Sequence, residues 1–228
     1  MQPKPRDGSP PTGGSGGSHG NNGSGWFRRW VVGQFTRPRG LWGHVAGWIM
    51  ARRNRERIEW TVELLHLQPH HTVLEVGFGP GVAIEAMAQR VTAGRIVGVD
   101  HSAVMLRQAK RRNARAVREG RVRLVNQDAR DLQMPKGPFD RVVAINVAQF
   151  WELPAAEMRK LRSLMAPGGL LAVTLQPRDR GATDDMAREK GQALVQAAEQ
   201  AGFAPVRLEM RSMKPVAAAC VLATNPEM

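Results

Sequence analysis

The chain of 228 residues contains one cysteine, no tyrosine and few lysines, and no apolar run long enough for a membrane span. Each shortage excludes something. One cysteine allows neither an internal disulfide nor a cysteine-based metal cluster. Cys220, in the apolar run Ala217 to Leu222, is expected to be a small buried hydrophobe and not a nucleophile. A reducing, cytoplasmic setting fits. A bilayer-crossing helix needs about 18 or more apolar residues in succession, and none occurs. The first 25 residues are rich in Gly, Ser, Pro and Asn and lack an apolar h-region, so they do not read as a secretory signal. With almost nothing to bury, residues 1–25 are expected to be a disordered tail. The net charge is +13, yet only six of 33 basic residues are Lys. A GC-rich coding sequence produces that skew without any polyanionic partner, so the charge is weak support for nucleic acid.

What remains is about 200 residues, enough for one domain with a substantial core. Five of the six tryptophans (26, 30, 42, 48 and 60) fall in a basic, aromatic stretch over residues 26–67. A helix is expected there from about Leu41 to Leu67. Beyond Pro69, short apolar runs alternate with amphipathic stretches. Strands are expected at Thr72–Val76, Arg95–Val99, Val122–Val125, Arg141–Ile145 and Leu170–Leu175. Helical spacing appears at Ile84, Met87, Ala88 and Val91, over Ala103–Arg118 and over Ala155–Met165. This alternation predicts βαβ units, hence a doubly wound α/β sheet over residues 68–228. Thr183, followed by Asp184 and Asp185, reads as the N-cap of a helix stopping at Gly202. The runs Val206–Met210 and Val216–Ala223 have no room between them for a crossover helix and should pair antiparallel.

Four stretches carry chemistry. In Val73-Leu74-Glu75-Val76-Gly77-Phe78-Gly79-Pro80-Gly81, a glycine-rich turn joins a strand to a helix, where a backbone can approach a ligand closely. A dinucleotide fingerprint would need its third glycine at Val82; here it comes one residue early. Glu75 also suits a cationic ammonium or sulfonium better than a pyrophosphate. Asp100, in Gly98-Val99-Asp100-His101-Ser102, stands about 20 positions further on, where a carboxylate accepts ribose hydroxyls and repels a 2′-phosphate. Asp100 or Ser102 can equally cap the following helix. Asp128, in Asn126-Gln127-Asp128-Ala129, can accept an adenine amine. Asn146 and Gln149 leave the fourth strand and can hydrogen-bond cofactor or acceptor, and Trp151 can wall the pocket.

In their order these elements resemble the class I S-adenosylmethionine-dependent methyltransferases, over about Leu65 to Ala223, including the turn Ala166-Pro167-Gly168-Gly169. The resemblance implies a seven-stranded, mostly parallel, Rossmann-like sheet with its last strand antiparallel. It implies S-adenosylmethionine as cofactor, S-adenosylhomocysteine as product, and no metal. By position, Glu75, Gly77, Phe78, Gly79 and Gly81 would line the methionine part. Asp100 and His101 would meet the ribose, Asp128 and Ala129 the adenine, and Asn146 the sulfonium side. The stretch Phe35-x-x-Pro38-x-Gly40-x-x-Gly43, continuing to Met50 and Asn54, is similar to the lead-in of ubiquinone/menaquinone-type and phospholipid N-methyltransferase-like relatives. The Asn-Pro-Pro-aromatic tetrapeptide of adenine-N6 methyltransferases is absent, and relatives with a tyrosine at the acceptor site are poor guides.

Methyl transfer from a sulfonium needs alignment and water exclusion more than a base. If a base is used, His101 and His44 are candidates, as are Asn146 and Gln149 for polar assistance. His101 fits better as ribose or adenine packing, and His44 as structural. His70 and His71 are expected in a solvated turn. Residues 26–67 are expected to form a helical lid, with Phe35, Trp42 and Met50 joining Gln149 and Trp151 around a small apolar or aromatic acceptor. The competing readings are a membrane-surface segment serving a lipid or quinone precursor, an RNA methyltransferase using the basic stretch Arg107–Arg118, and a non-catalytic binding protein. The acceptor atom and the oligomeric state are not legible.

Overall fold

In the computed structural model, which describes residues 54–127 and 138–227, successive residues of each central strand bury into opposite layers. These residues lie in the compact unit Trp48–Met228. The strands are β1 (Thr72–Val76), β2 (Arg95–Asp100), β3 (Val122–Asn126), β4 (Phe139–Ile145), β5 (Met165–Leu175), β6 (Val206–Arg211) and β7 (Ala218–Thr224). They form one seven-stranded sheet in the order β3-β2-β1-β4-β5-β7-β6. The pairs β1–β2, β1–β4, β2–β3 and β4–β5 are parallel, whereas β7 runs antiparallel to both β5 and β6. The expected hairpin of the last two strands is therefore present. It enters the sheet reversed, with β7 wedged between β5 and β6.

The helices are α1 (residues 54–64), α2 (Val82–Ala88), α3 (Ala103–Arg112), α4 (Ala114–Arg118), α5 (Pro154–Arg162) and α6 (Asp184–Gln200), with a 3-10 turn at Ala148–Phe150. Leu74, Val97, Val142, Leu171, Val173 and Val221 pack on α5 and α6 through Met158, Leu161, Leu194 and Ala198. Val73, Ile96, Val143, Ala172 and Leu222 face the other way, onto α1, α2 and α3 through Trp60, Leu65, Ile84, Met87, Met105 and Ala109. This period-two partition explains why the parallel strands are near-continuous apolar runs: both faces are covered.

The structure departs from the sequence-based elements at identifiable points. The single helix expected over Ala103–Arg118 breaks at Asn113, whose buried side chain donates to the carbonyls of Gly81 and Ala109, both at 3.0 Å. Helix α5 stops at Arg162 and Met165 joins β5 opposite Phe139, because β5 opens across a register shift near the Pro167-Gly168-Gly169 turn. The last strand starts at Ala218, not Val216. Thr183 caps α6 as expected, its hydroxyl accepting from the Met186 amide at 3.2 Å. His71 is not solvated: it is 6% exposed and its Nδ1 accepts from the Gln68 amide, while His70 stays outside. Burial, then Arg141, holds the His71 imidazole below its usual pKa. Cys220 is buried, as expected, with its thiol pushed up to about 12 by burial.

The helix expected up to Leu67 ends at residue 64, and Trp60, Val62 and Leu65 are core residues of the sheet layer. The tail 1–25, the lid residues up to 53, and with them Phe35, Trp42, His44 and Met50, lie outside the described residues, as do Asp128 and Ala129. Among the described residues no helix is long and apolar enough to cross a membrane.

Candidate active site

Buried polar side chains gather at the carboxyl ends of β1, β2, β4 and β5, the edge where doubly wound sheets bind ligands. Glu75, Asp100, Thr174 and Gln176 are each at most 8% exposed. The turn after β1 holds three left-handed glycines, Gly77, Gly79 and Gly81, with φ of 74°, 50° and 77°. Their surroundings separate them. A Cβ on Gly77 would lie 2.5 Å from Val147 Cγ2, and one on Gly81 2.7 Å from both Ala109 Cβ and Asn113 Nδ2. At Gly79 nothing lies within 4 Å. Gly77 and Gly81 thus admit neighbouring elements, and Gly79 alone faces open space. Phe78 is 3% exposed, its ring in the core against Gly98, so only its backbone is offered to a ligand.

Asp100 ties this turn to the end of β2. Its Oδ2 accepts the Gly79 amide at 2.9 Å and its Oδ1 the Ser102 amide at 2.8 Å. Ser102 is the N-cap of α3, accepting from Met105 at 3.4 Å, so the capping role and the placement of Asp100 at the turn coexist. His101 is 40% exposed, with Nδ1 3.8 Å from Asp100 Oδ1. Asn126 Nδ2 and the Gln127 amide both donate to the Asp100 carbonyl, at 2.9 and 3.0 Å, which brings the start of the expected adenine loop to the same edge.

Glu75 is 2% exposed and its Oε2 has no hydrogen-bond partner. Burial, reinforced by the charge of Asp100, raises its pKa to about 8. An unpaired carboxyl at this depth costs stability unless a cation or donor meets it. One strand away, Asn146 adopts φ 55° just past β4. Its Oδ1 accepts the Gln176 amide at 2.9 Å, which fixes the side chain, and its buried Nδ2 has no partner. An orphan acceptor and an orphan donor thus stand at the ends of two paired strands. Past Asn146, Val147 and Trp151 are half-buried against the core, Gln149 is exposed, and Leu153 is 70% exposed.

Sequence reasoning missed the residues behind this edge. Arg57 of α1 is 3% exposed and donates through Nη1 to Gln176 Oε1 and through Nη2 to Asn54 Oδ1 at 2.8 Å. Thr61 Oγ1 meets Thr174 Oγ1 at 2.8 Å. Burial, then the charge of Arg178, lowers the Arg57 pKa to about 10. The clue was available: Arg57 and Thr61 sit at i and i+4 in the stripe that ends at Leu65, where an apolar helix face should hold neither. The expected basic face over Arg107–Arg118 is partly neutralised within the domain. Arg112 bonds the Pro80 carbonyl and Glu85, and Arg115 bonds Glu119. Among the described residues no group of three His, Cys, Asp or Glu is arranged to hold a metal.

A parallel sheet with the seventh strand reversed, and acids flanking a glycine turn at its edge, define the class I methyltransferase fold. A family model described as a methyltransferase domain matches residues 73–169. An uncharacterized methyltransferase of Bacillus subtilis (strain 168), YdaC, is 30% identical over 182 residues, spanning 80% of this chain and 98% of that protein. Trans-aconitate 2-methyltransferase of Azoarcus sp. (strain BH72) is 33% identical over 104 residues, 46% of this chain and 38% of its own length. Among solved structures, magnesium protoporphyrin IX methyltransferase (ChlM) of Synechocystis PCC 6803 with bound S-adenosylhomocysteine (SAH) superposes with a TM-score of 0.62 at 18% identity, covering 89% of this chain and 95% of that one. The chain belongs to the class I S-adenosylmethionine-dependent methyltransferase family.

Proposed function

We propose that this methyltransferase acts on a small apolar or aromatic acceptor, bound beyond the ends of β4 and β5. The observation that carries the reading is the pair of orphaned buried atoms, Glu75 Oε2 and Asn146 Nδ2, beside the one turn glycine that faces open space. When bound, S-adenosylmethionine supplies a methyl group on a cationic sulfur, activated for in-line displacement. Glu75 meets the positively charged methionine end, and a cation there favours its ionised form against the burial that otherwise keeps it protonated. Asp100 uses one lone pair of each oxygen on backbone amides, leaving others for the ribose hydroxyls. The open side of Gly79 admits the ligand past the backbone. Gly77, the Phe78 backbone, Gly81 and His101 border this part.

Asn146 is a positioning group. Its amide cannot turn without losing the Gln176 bond, so Nδ2 is held in one orientation before anything binds. The half-buried Val147 and Trp151 and the exposed Leu153 offer an apolar wall, and Gln149 a polar rim, to the acceptor. That lining supports a lipophilic acceptor over a nucleotide base. Nothing in the reaction so described calls for a general base, since holding donor and acceptor in line while excluding water accounts for much of the acceleration.

The test is calorimetric titration of the full chain with SAH, then a methyl-transfer screen over lipophilic phenols, amines and quinones. The reading expects SAH binding by wild type and product from at least one acceptor class, with Asn146→Asp keeping the SAH affinity and losing most of the turnover. Transfer only to RNA, or only to acceptors embedded in vesicles, would replace the small-molecule acceptor by one of the competing classes.

A further inference from the structure

At the other end of the same edge two guanidinium groups converge without an acid. Arg57 and Arg178 both donate to one oxygen, Asn54 Oδ1, at 2.8 and 3.3 Å. Among the described residues no carboxylate lies within ion-pair distance of either. The acid next to Arg178 in sequence, Asp179, is turned onto Lys190 at 2.9 Å. Among the described residues, only neutral amide oxygens, of Asn54 and Gln176, meet these two neighbouring positive charges, one of them buried with its Nε unsatisfied. Placing like charges together in a partly desolvated site is unfavourable unless an anion joins them. Arg178 is exposed as a residue, yet its surroundings desolvate the guanidinium enough to lower its pKa, and the one hydrogen bond it makes is long.

We propose that Arg178, backed by Arg57 across Asn54, is a subsite for a carboxylate carried by the methyl acceptor. This rests on the reading of a small acceptor and adds to it the charge that the acceptor bears. The alternative owner of a carboxylate is the methionine end of the cofactor itself, and the sheet order separates the two. An amino acid holds its ammonium and carboxylate about 3 Å apart, and Glu75 lies on β1. Arg178 follows β5, two strands from β1 in the sheet order, about 10 Å across at the usual strand spacing. Arg57 is linked through Gln176 to Asn146, so the anion pole and the orphan amide of the reacting side share one scaffold. A planar fork of donors at that distance would grip a carboxylate and hold the rest of an aromatic or apolar molecule over Asn146.

The experiment loads the full chain with SAH and titrates in benzoate or its neutral counterpart benzamide, followed by NMR shifts of the protein. Wild type should bind benzoate at least about tenfold more tightly than benzamide, the scale of a charge-assisted pair. Arg178→Gln, an exposed change that should leave the melting temperature in place, should erase that preference while the SAH dissociation constant stays within about twofold. Arg178→Lys should restore only part of it, since the fork is lost and the charge kept. Equal binding of the two probes by wild type overturns the carboxylate subsite and leaves the apolar acceptor standing. Binding of neither probe overturns both readings. A tenfold or greater loss of SAH affinity in Arg178→Gln would assign the arginine to the cofactor's own carboxylate and overturn the proposal in that way.

Discussion

The carboxylate of Asp100 accepts the backbone amide of Gly79 at 2.9 Å, locking the glycine turn after β1 to the end of β2. One side chain thereby shapes the turn, and in the function proposed above it also accepts the ribose hydroxyls. Replacing Asp100 by Ala removes the acceptor of two part-buried amides, Gly79 and Ser102, as well as the proposed ligand contact. SAH binding should weaken by about 1–3 kcal/mol, the scale of a lost charged hydrogen bond. Asp100→Asn keeps one acceptor oxygen and should fall between. Calorimetry on both variants checks the order, and an unchanged dissociation constant for Asp100→Ala would remove the residue from the site.

The three turn glycines should respond differently to alanine. Gly77→Ala forces a Cβ onto Val147 at 2.5 Å, in a left-handed backbone that alanine disfavours. A stability loss of about 2–4 kcal/mol is expected from overpacking plus the φ penalty. Val147→Ala in the same chain should recover the packing part. Gly79→Ala meets nothing within 4 Å, so its cost is the backbone penalty alone, about 1 kcal/mol. It should instead weaken SAH binding at least about tenfold, because the new methyl projects into the ligand's side. Denaturant unfolding and calorimetry on both variants separate a folding glycine from a binding one.

Glu75 should make the ligand-free protein pH-sensitive. Its folded pKa is raised to about 8 from the ordinary 4.5, first by burial and then by Asp100. Between those values the folded chain holds a proton that the unfolded chain has released. Stability from this group is therefore complete below about pH 4.5 and declines as pH rises through about 8, with a slope approaching ~1.4 kcal/mol per pH unit. Glu75→Gln, which cannot ionise, should lack that slope. Thermal melts at pH 5 and pH 8 should show the variant gaining on wild type at the higher pH while it binds SAH more weakly. Parallel pH profiles for the two proteins would contradict the assignment.

The amino-terminal boundary can be tested by truncation. Removing residues 1–47 leaves the compact unit Trp48–Met228 whole, with Arg57, Trp60, Val62 and Leu65 in place. Its melting temperature should stay within a few degrees of the full chain. Removing residues 1–58 takes Asn54 and Arg57 away from Gln176 and the core, and should lower the melting temperature clearly. Differential scanning calorimetry on the two truncations suffices.

Much of the sheet was legible in sequence because parallel strands buried on both faces advertise themselves as short apolar runs, and β1, β2, β3 and β4 fall within two residues of where those runs lie. The break of the basic helix at Asn113 was not, since nothing local distinguishes an asparagine that bonds solvent from one that reaches Gly81, 32 residues away. The charges that act on His71 likewise come from Arg141 and Asp140 on a distant strand.

The order of acid, glycine turn, acid and asparagine along the chain determined the family of this protein and the ligand edge of its sheet, because backbone conformation and charge at those positions are properties of the residues themselves. Only the tertiary structure decided which glycine faces open space and which face Val147 and Ala109, and that Glu75 Oε2 is left without a hydrogen-bond partner. It alone brought Arg57 to Arg178, 121 residues further on, around a single amide oxygen. Those facts are distances between chain-remote atoms, and packing sets them where local preference cannot.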